Sequence, residues 1–200
     1  ALSLVCPDEL AITMYEIGDF LLAEMTEDEI ESSIFLIANL VNGGMLEDMT
    51  ESKKKLHAQV NLKAAKKASV LASFGVAAEY ARDGIQFLPR DRWETQYQLT
   101  LELFSTAAEA ESCVGNMGAM EGYCREVLMQ EKATIYDKFR VLDIKLVHIA
   151  MNEKYEEAVT LSLEILEQLG CKFPKGKIFR LREMMVGMMQ TKAKSKILGE

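Results

Sequence analysis

Apolar residues recur along this chain at three- and four-residue steps, separated by polar and charged positions. That spacing predicts helices almost throughout. Pro7 stands where a first helical residue belongs, and Asp8 and Glu9 behind it suit the positive end of a helix. Leu10, Met14, Ile17 and Leu21 then form a predicted dry stripe. Thr26 and Glu29 have capping-box spacing, and Ile30, Ile34, Ile37 and Val41 carry the next helix to a stop at Gly43-Gly44. Thr50 is placed to cap a third helix, with Leu56, Val60 and Ala64 inside and Lys53, Lys54, Lys55, Lys63, Lys66 and Lys67 outside. Phe74 to Leu88 reads as a fourth helix, ended by Pro89. Asp91 opens a long helix to about Ser112, faced by Trp93, Tyr97, Leu101 and Phe104; such a helix spans roughly 33 Å. Gly115 and Gly118 mark the turn before a helix through Met120, Cys124 and Val127. Asp137 to Met151 and Tyr155 to Leu169 pair across Asn152-Glu153-Lys154, with Gly170 as the stop. A last helix, about Lys175 to Lys196, follows Pro174. No stretch alternates with period two, so the predicted fold is all-α, with eight or nine helices and no sheet.

The stripes repeat. Ala77, Tyr80, Gly84, Phe87 and Leu88 reappear forty residues on as Met117, Met120, Cys124, Val127 and Leu128. They reappear again thirty-eight residues further as Tyr155, Ala158, Ser162, Ile165 and Leu166. Each set is the dry side of a helix that follows another helix and a short turn. A helix hairpin cannot bury its apolar face alone, so the pattern predicts a row of stacked antiparallel hairpins, a degenerate tetratricopeptide-like solenoid. The small residues Gly84, Cys124 and Ser162 fall at one register, as expected where helices approach closely.

Composition adds little to the fold and more to the chemistry. The 200 residues are 49% hydrophobic and 27% charged, enough apolar material for a core. Only 3 are proline, which favours long helices. The net charge of −8 argues against a nucleic-acid partner for the chain as a whole, and no apolar run approaches a membrane span. The four cysteines, Cys6, Cys113, Cys124 and Cys171, are widely spaced and read as reduced, small buried hydrophobes. His57 and His148 have no neighbouring partner in sequence and read as structural or surface residues. No phosphate loop, nucleophile elbow or zinc spacing occurs, so no catalytic residue, cofactor site or metal site is assigned.

A family likeness runs through the same helices. It is carried by Asn61-Leu-Lys-Ala-Ala-Lys-Lys-Ala68, Ala77-Ala-Glu-Tyr80 and Gly84-Ile-Gln-Phe-Leu-Pro89. It continues through Trp93, Tyr97-Gln-Leu-Thr-Leu-Glu-Leu103, Ala107-Ala-Glu-Ala110, Met120-Glu121 and Glu126-Val-Leu128. Asp137-Lys138, Tyr155-Glu-Glu-Ala158, Leu166-Glu-Gln-Leu-Gly170 and Phe173-Pro174 complete it. Over roughly Glu51 to Pro174 the chain resembles the tetratricopeptide-like region of large signalling ATPases. In those proteins it follows an AAA-type module similar to the origin-recognition ATPases, often beside serine/threonine kinase, GAF and histidine kinase modules. Ala65 stands where that family commonly has glycine. The resemblance implies a region without catalytic residues, serving as the sensor or spacer arm of a multidomain signal-transduction ATPase or kinase in the cytoplasm. Its partners are proteins, with an AAA-type ATPase module in cis. Residues 1–50 then read as the helical segment joining that module to the repeats, 51–174 as the repeats, and 175–200 as a basic capping helix. The alternatives are a standalone adaptor and a small helical-bundle enzyme or ligand carrier, the last requiring Cys113, His148 and a carboxylate to converge.

Two sets of residues are candidates for partner binding. Tyr123, Glu126 and Gln130 are spaced to line a peptide groove. Residues 171–200 carry a net charge of +6, leaving −14 for the rest, and Lys177, Arg180, Met184 and Met188 lie there with Met185 and Met189. A basic, methionine-striped helix either binds an acidic partner, calmodulin or an anionic membrane surface, or caps the array with its lysines solvated. Trp93 and Tyr97 are expected in the core.

Overall fold

The computed structural model describes residues 7–43 and 49–171; the expected C-terminal helix, with Lys177, Arg180, Met184 and Met188, lies outside them. The fold is all-α: the described residues form ten helices and no strand. The chain divides into two compact units, residues 1–148 and residues from Ile149 onward. No helix among the described residues is long and apolar enough to cross a membrane.

In the first unit, α1 (Pro7–Glu24) begins at the proline, as its fixed φ favours. Tyr15 and Gly18 are its buried positions; of the expected stripe Met14 and Leu21 lie on the packing face, whereas Ile17 is exposed. The helix expected over 26–43 is interrupted at Ser33 into α2 (Glu27–Ser32) and α3 (Ile34–Gly43). The Thr26 capping box forms: the Thr26 amide donates to Glu29 Oε2 at 2.9 Å and the Glu29 amide to Thr26 Oγ1 at 3.4 Å. The Thr26 amide, with the Thr26 hydroxyl donating to the same oxygen at 2.8 Å, holds the Glu29 carboxyl below its ordinary pKa. Ile34, Ile37, Ala38 and Val41 of α3 share a core with Val60, Ala64 and Ala65 of the next helix, α4 (Glu51–Val70). Helix α3 therefore contributes to the same packed body as the helices that follow. Thr50 caps α4 as expected, through the Lys53 amide. Leu56 is exposed and not inside as expected; the buried face of α4 is His57, Ala58, Val60, Asn61, Ala64, Ala65 and Ala68.

α4 and α5 (Phe74–Gln86) form one hairpin, α7 (Tyr97–Cys113) and α8 (Met117–Leu128) another, and α5 packs on α7. Between them, the long helix expected from Asp91 to Ser112 is broken at Gln96, whose φ of −135° and ψ of 43° leave the helical region. The short α6 (Arg92–Thr95) folds back, so that the Trp93 ring reaches Phe104 at 5.5 Å. In an unbroken helix those residues would be separated by roughly 16 Å along the axis. The Thr100 hydroxyl lies 3.1 and 2.9 Å from the carbonyls of Arg92 and Gln96, which also accept the Gln96 and Thr100 amides at 3.0 Å, and so ties the two sides of the break together. Trp93 and Tyr97 are half-buried at this corner, less enclosed than expected. Helix α9 (Ile135–Met151) starts two residues before the expected Asp137, because Thr134 and Asp137 form a second reciprocal cap. Val141 and Ile144 of α9 join the core of the second hairpin.

The turns repeat as the stripes do. After α4, Ala72 takes φ +55° and the Ser73 amide donates to Ala68 O at 2.9 Å. After α7, Gly115 takes φ +80° and the Asn116 amide donates to Glu111 O at 2.9 Å. In the second unit, Glu153 takes φ +59° and the Lys154 amide donates to Ile149 O at 3.2 Å, ahead of α10 (Tyr155–Gln168). One left-handed residue and one amide reaching back five residues close each first helix, the Schellman geometry. The same stop follows α10, with Gly170 at φ +89°.

At Gly84, one of the small residues of the shared register, the helices approach closely. A Cβ there would lie 2.7 Å from Leu103 Cδ2 and 3.1 Å from Asn61 Cβ. Nearby, Asn42, Asn61 and Asp83 join α3, α4 and α5. The Asn42 amide donates to Asn61 Oδ1 at 2.8 Å and to Asp83 Oδ2 at 2.9 Å, and the Asn61 amide donates to Asn42 Oδ1 at 2.7 Å.

His57 is fully buried, with Tyr15 and Phe87 edge-on at 5.6 and 5.3 Å and neither ring nitrogen hydrogen-bonded among the described residues. Burial pushes its pKa below 6.5, with the Asp19 charge opposing and the Lys53 charge adding. Below pH 6.5 the unfolded chain then takes up a proton that the folded site resists, so this site loses stability as pH falls from about 7 to 5. Asp83, whose pKa burial raises above 3.8, acts in the opposite sense near its own range. The expected result is a melting temperature that declines over that interval in the native chain and declines less in His57→Phe, with a difference of at most about 1.4 kcal/mol per pH unit. Parallel pH dependences in the two proteins would contradict this account of the site.

Candidate functional site

A groove of about 800 Å³ opens in the first unit, within the range of pockets that enclose small ligands. One wall is α4, which contributes Lys55, Leu56, Gln59, Val60, Leu62 and Lys63. The facing wall is the α6–α7 corner, with Thr95, Gln96, Tyr97, Gln98, Leu99 and Glu102. Leu22 of α1 and Glu27 and Ile30 of α2 complete the lining. The walls are thus the first helices of two consecutive hairpins, and the break at Gln96 turns five successive residues toward the groove.

Helical geometry explains the α4 wall. Lys55, Gln59 and Lys63 stand at four-residue steps on one side, and Leu56 beside them supplies apolar surface. The exposure of Leu56, unexpected for a core residue, follows from its place in the lining. Across the groove, Glu102 is held by Lys66 at 2.7 Å and lies 3.9 Å from Arg140. Lys55, Lys63 and Glu27 form no ion pair among the described residues. The Tyr97 hydroxyl donates to Asp137 Oδ2 at 3.0 Å, tying the corner to α9. That bond and those from Thr134 lower the Asp137 pKa, the Thr134 amide most, while burial raises that of Tyr97. Gln96 Oε1 is buried without a hydrogen-bond donor among the described residues.

The expected groove residues on α8 lie elsewhere. Tyr123 is half-buried, its ring edge-on to Phe104 at 5.8 Å. Glu126 pairs with Arg92 at 3.5 Å, and the Gln130 side chain donates to Glu126 O at 2.9 Å. None of the three lines the groove. Sequence reading missed the groove because the Gln96 break leaves no proline or glycine as a signal. The stripe Lys55, Gln59 and Lys63 was legible as a wet face, though nothing in it told a groove wall from plain surface.

Of the thiols among the described residues, only Cys124 is the buried hydrophobe expected; Cys113 and Cys171 are exposed because they sit at or past helix ends, and Cys6 lies outside the described residues. Burial pushes the Cys124 thiol up to about 11, and burial and the Glu109 charge raise that of Cys113, the reverse of an activated nucleophile. No cluster of three His, Cys, Asp or Glu side chains suited to a metal occurs among the described residues. Compared with known proteins, the chain matches no family model, no curated protein and no solved structure.

Proposed function

We propose that this chain is a non-catalytic protein-interaction region that binds a peptide segment of a partner in the groove between α4 and the α6–α7 corner. The single observation that carries the reading is that the first helices of two consecutive hairpins wall one open groove of mixed aliphatic and polar lining. The repeated turns at Ala72, Gly115 and Glu153 support a tetratricopeptide-like array, and the likeness of residues 51–174 to the helical region of signalling ATPases supports its setting. In that setting the array is a sensor or spacer arm in the cytoplasm. A partner seated in the groove favours one arrangement of the array and so shifts the state of an ATPase or kinase module in cis.

The mass of the endogenous protein, detected by immunoblot in its source cells, tests the setting. A species much larger than the 22.5 kDa of this sequence is expected. A species near 22.5 kDa would instead make the chain a standalone adaptor acting in trans. High-turnover hydrolase or transferase activity in the purified chain would overturn the non-catalytic reading.

A further inference from the structure

Resting on that reading of the groove, we infer the chemistry of its occupant: an extended peptide with two carboxylates four residues apart and an aliphatic residue midway between them. Charge selects the carboxylates. The Glu102 carboxylate is already matched by Lys66, whereas Lys55 and Lys63 line the groove with no ion pair among the described residues. Glu27 on α2 is the one unpaired acid of the lining among the described residues, against two unpaired lysines.

Spacing selects the register. Lys55 and Lys63 are eight residues apart on α4, about 12 Å along its axis. An extended chain advances about 3.3 Å per residue, so side chains four positions apart match that separation. They also point to the same side, as does the residue midway between them, which meets the surface around Leu56 and Gln59.

Panning a phage-displayed random heptapeptide library against the full 200-residue chain tests this, with Lys55→Glu/Lys63→Glu and Leu56→Arg/Leu99→Arg variants as parallel baits. All four positions lie on the groove surface, and matching helicity and melting temperature would establish that both variants fold. Enrichment of an acid-x-aliphatic-x-acid pattern on the native chain is expected. Synthetic peptides of that pattern should bind at least about tenfold more weakly to the double-glutamate variant and weaken as salt is raised. Enrichment of peptides without acidic residues, or acidic peptides bound equally by the double-glutamate variant, would overturn the inference while leaving the groove as a peptide site. Peptides bound equally by the Leu56→Arg/Leu99→Arg variant, or no enrichment on any bait, would overturn both.

Discussion

Replacing Gly84 by valine is expected to destabilise the first unit by about 3 kcal/mol, lowering the melting temperature by roughly 6–12 °C. Gly84 lies where α5 meets both α4 and α7. The first carbon of any side chain there would stand 2.7 Å from Leu103 Cδ2, 3.1 Å from Asn61 Cβ and 3.5 Å from Ala58 O. Leu103 is fully buried, so its methyl has no open space to enter. This contact should also couple the two positions. Gly84→Ala alone gains helix propensity of about 1 kcal/mol but loses more to the clash. In a Leu103→Ala background the clashing methyl is gone, and Gly84→Ala should become neutral or stabilising. Thermal melts of the two single variants and the double variant measure this coupling directly. A Gly84→Val protein that melts with the native chain would mean that the helices do not approach this closely.

Truncating Ile37 to alanine is expected to cost about 2–5 kcal/mol. Ile37 is completely buried on α3, in a cluster that reaches Val60, Ala64 and Ala65 of α4 and Tyr80 and Ala81 of α5. Because that cluster crosses from the first fifty residues into the first hairpin, the loss should appear in the helices downstream as well. Urea unfolding followed by circular dichroism should show one transition for the first unit, shifted to lower denaturant in the variant. An early, partial loss of helicity with the main transition unmoved would indicate that residues 7–43 dock as a separate element.

The two substitutions probe features of unequal legibility. Gly84 was visible in the sequence, since a small residue at a repeated stripe position marks a close helix contact, and Ile34, Ile37 and Val41 followed from simple helical spacing. Capping chemistry was equally plain at Thr26 and Thr50. Less was legible where the backbone bends without a specialised residue. Ser33 and Gln96 interrupt helices that the apolar pattern continues through, and only the packing of Trp93 back onto Phe104 reveals the second break. Ala72 and Glu153 take the left-handed turn position that Gly115 advertises, so the repetition of the turns emerged only in three dimensions. On α1 the periodicity was real but several faces were apolar, and Tyr15 with Gly18 packs in preference to Ile17. The groove depends on the Gln96 break, so helical spacing alone places Lys55 and Lys63 on a plain wet face and Leu56, Val60 and Tyr97 inside, while Tyr123, Glu126 and Gln130 draw attention instead.

The most direct test of the central claim is site-specific photocrosslinking in source cells, with a benzophenone amino acid placed at Leu99 inside the groove or at the exposed Val76 on α5. The account predicts a discrete adduct from position 99 that acidic-aliphatic peptide competes away, and none from position 76. Adducts of equal yield from both positions, or none from position 99, would contradict a partner-binding role for the groove.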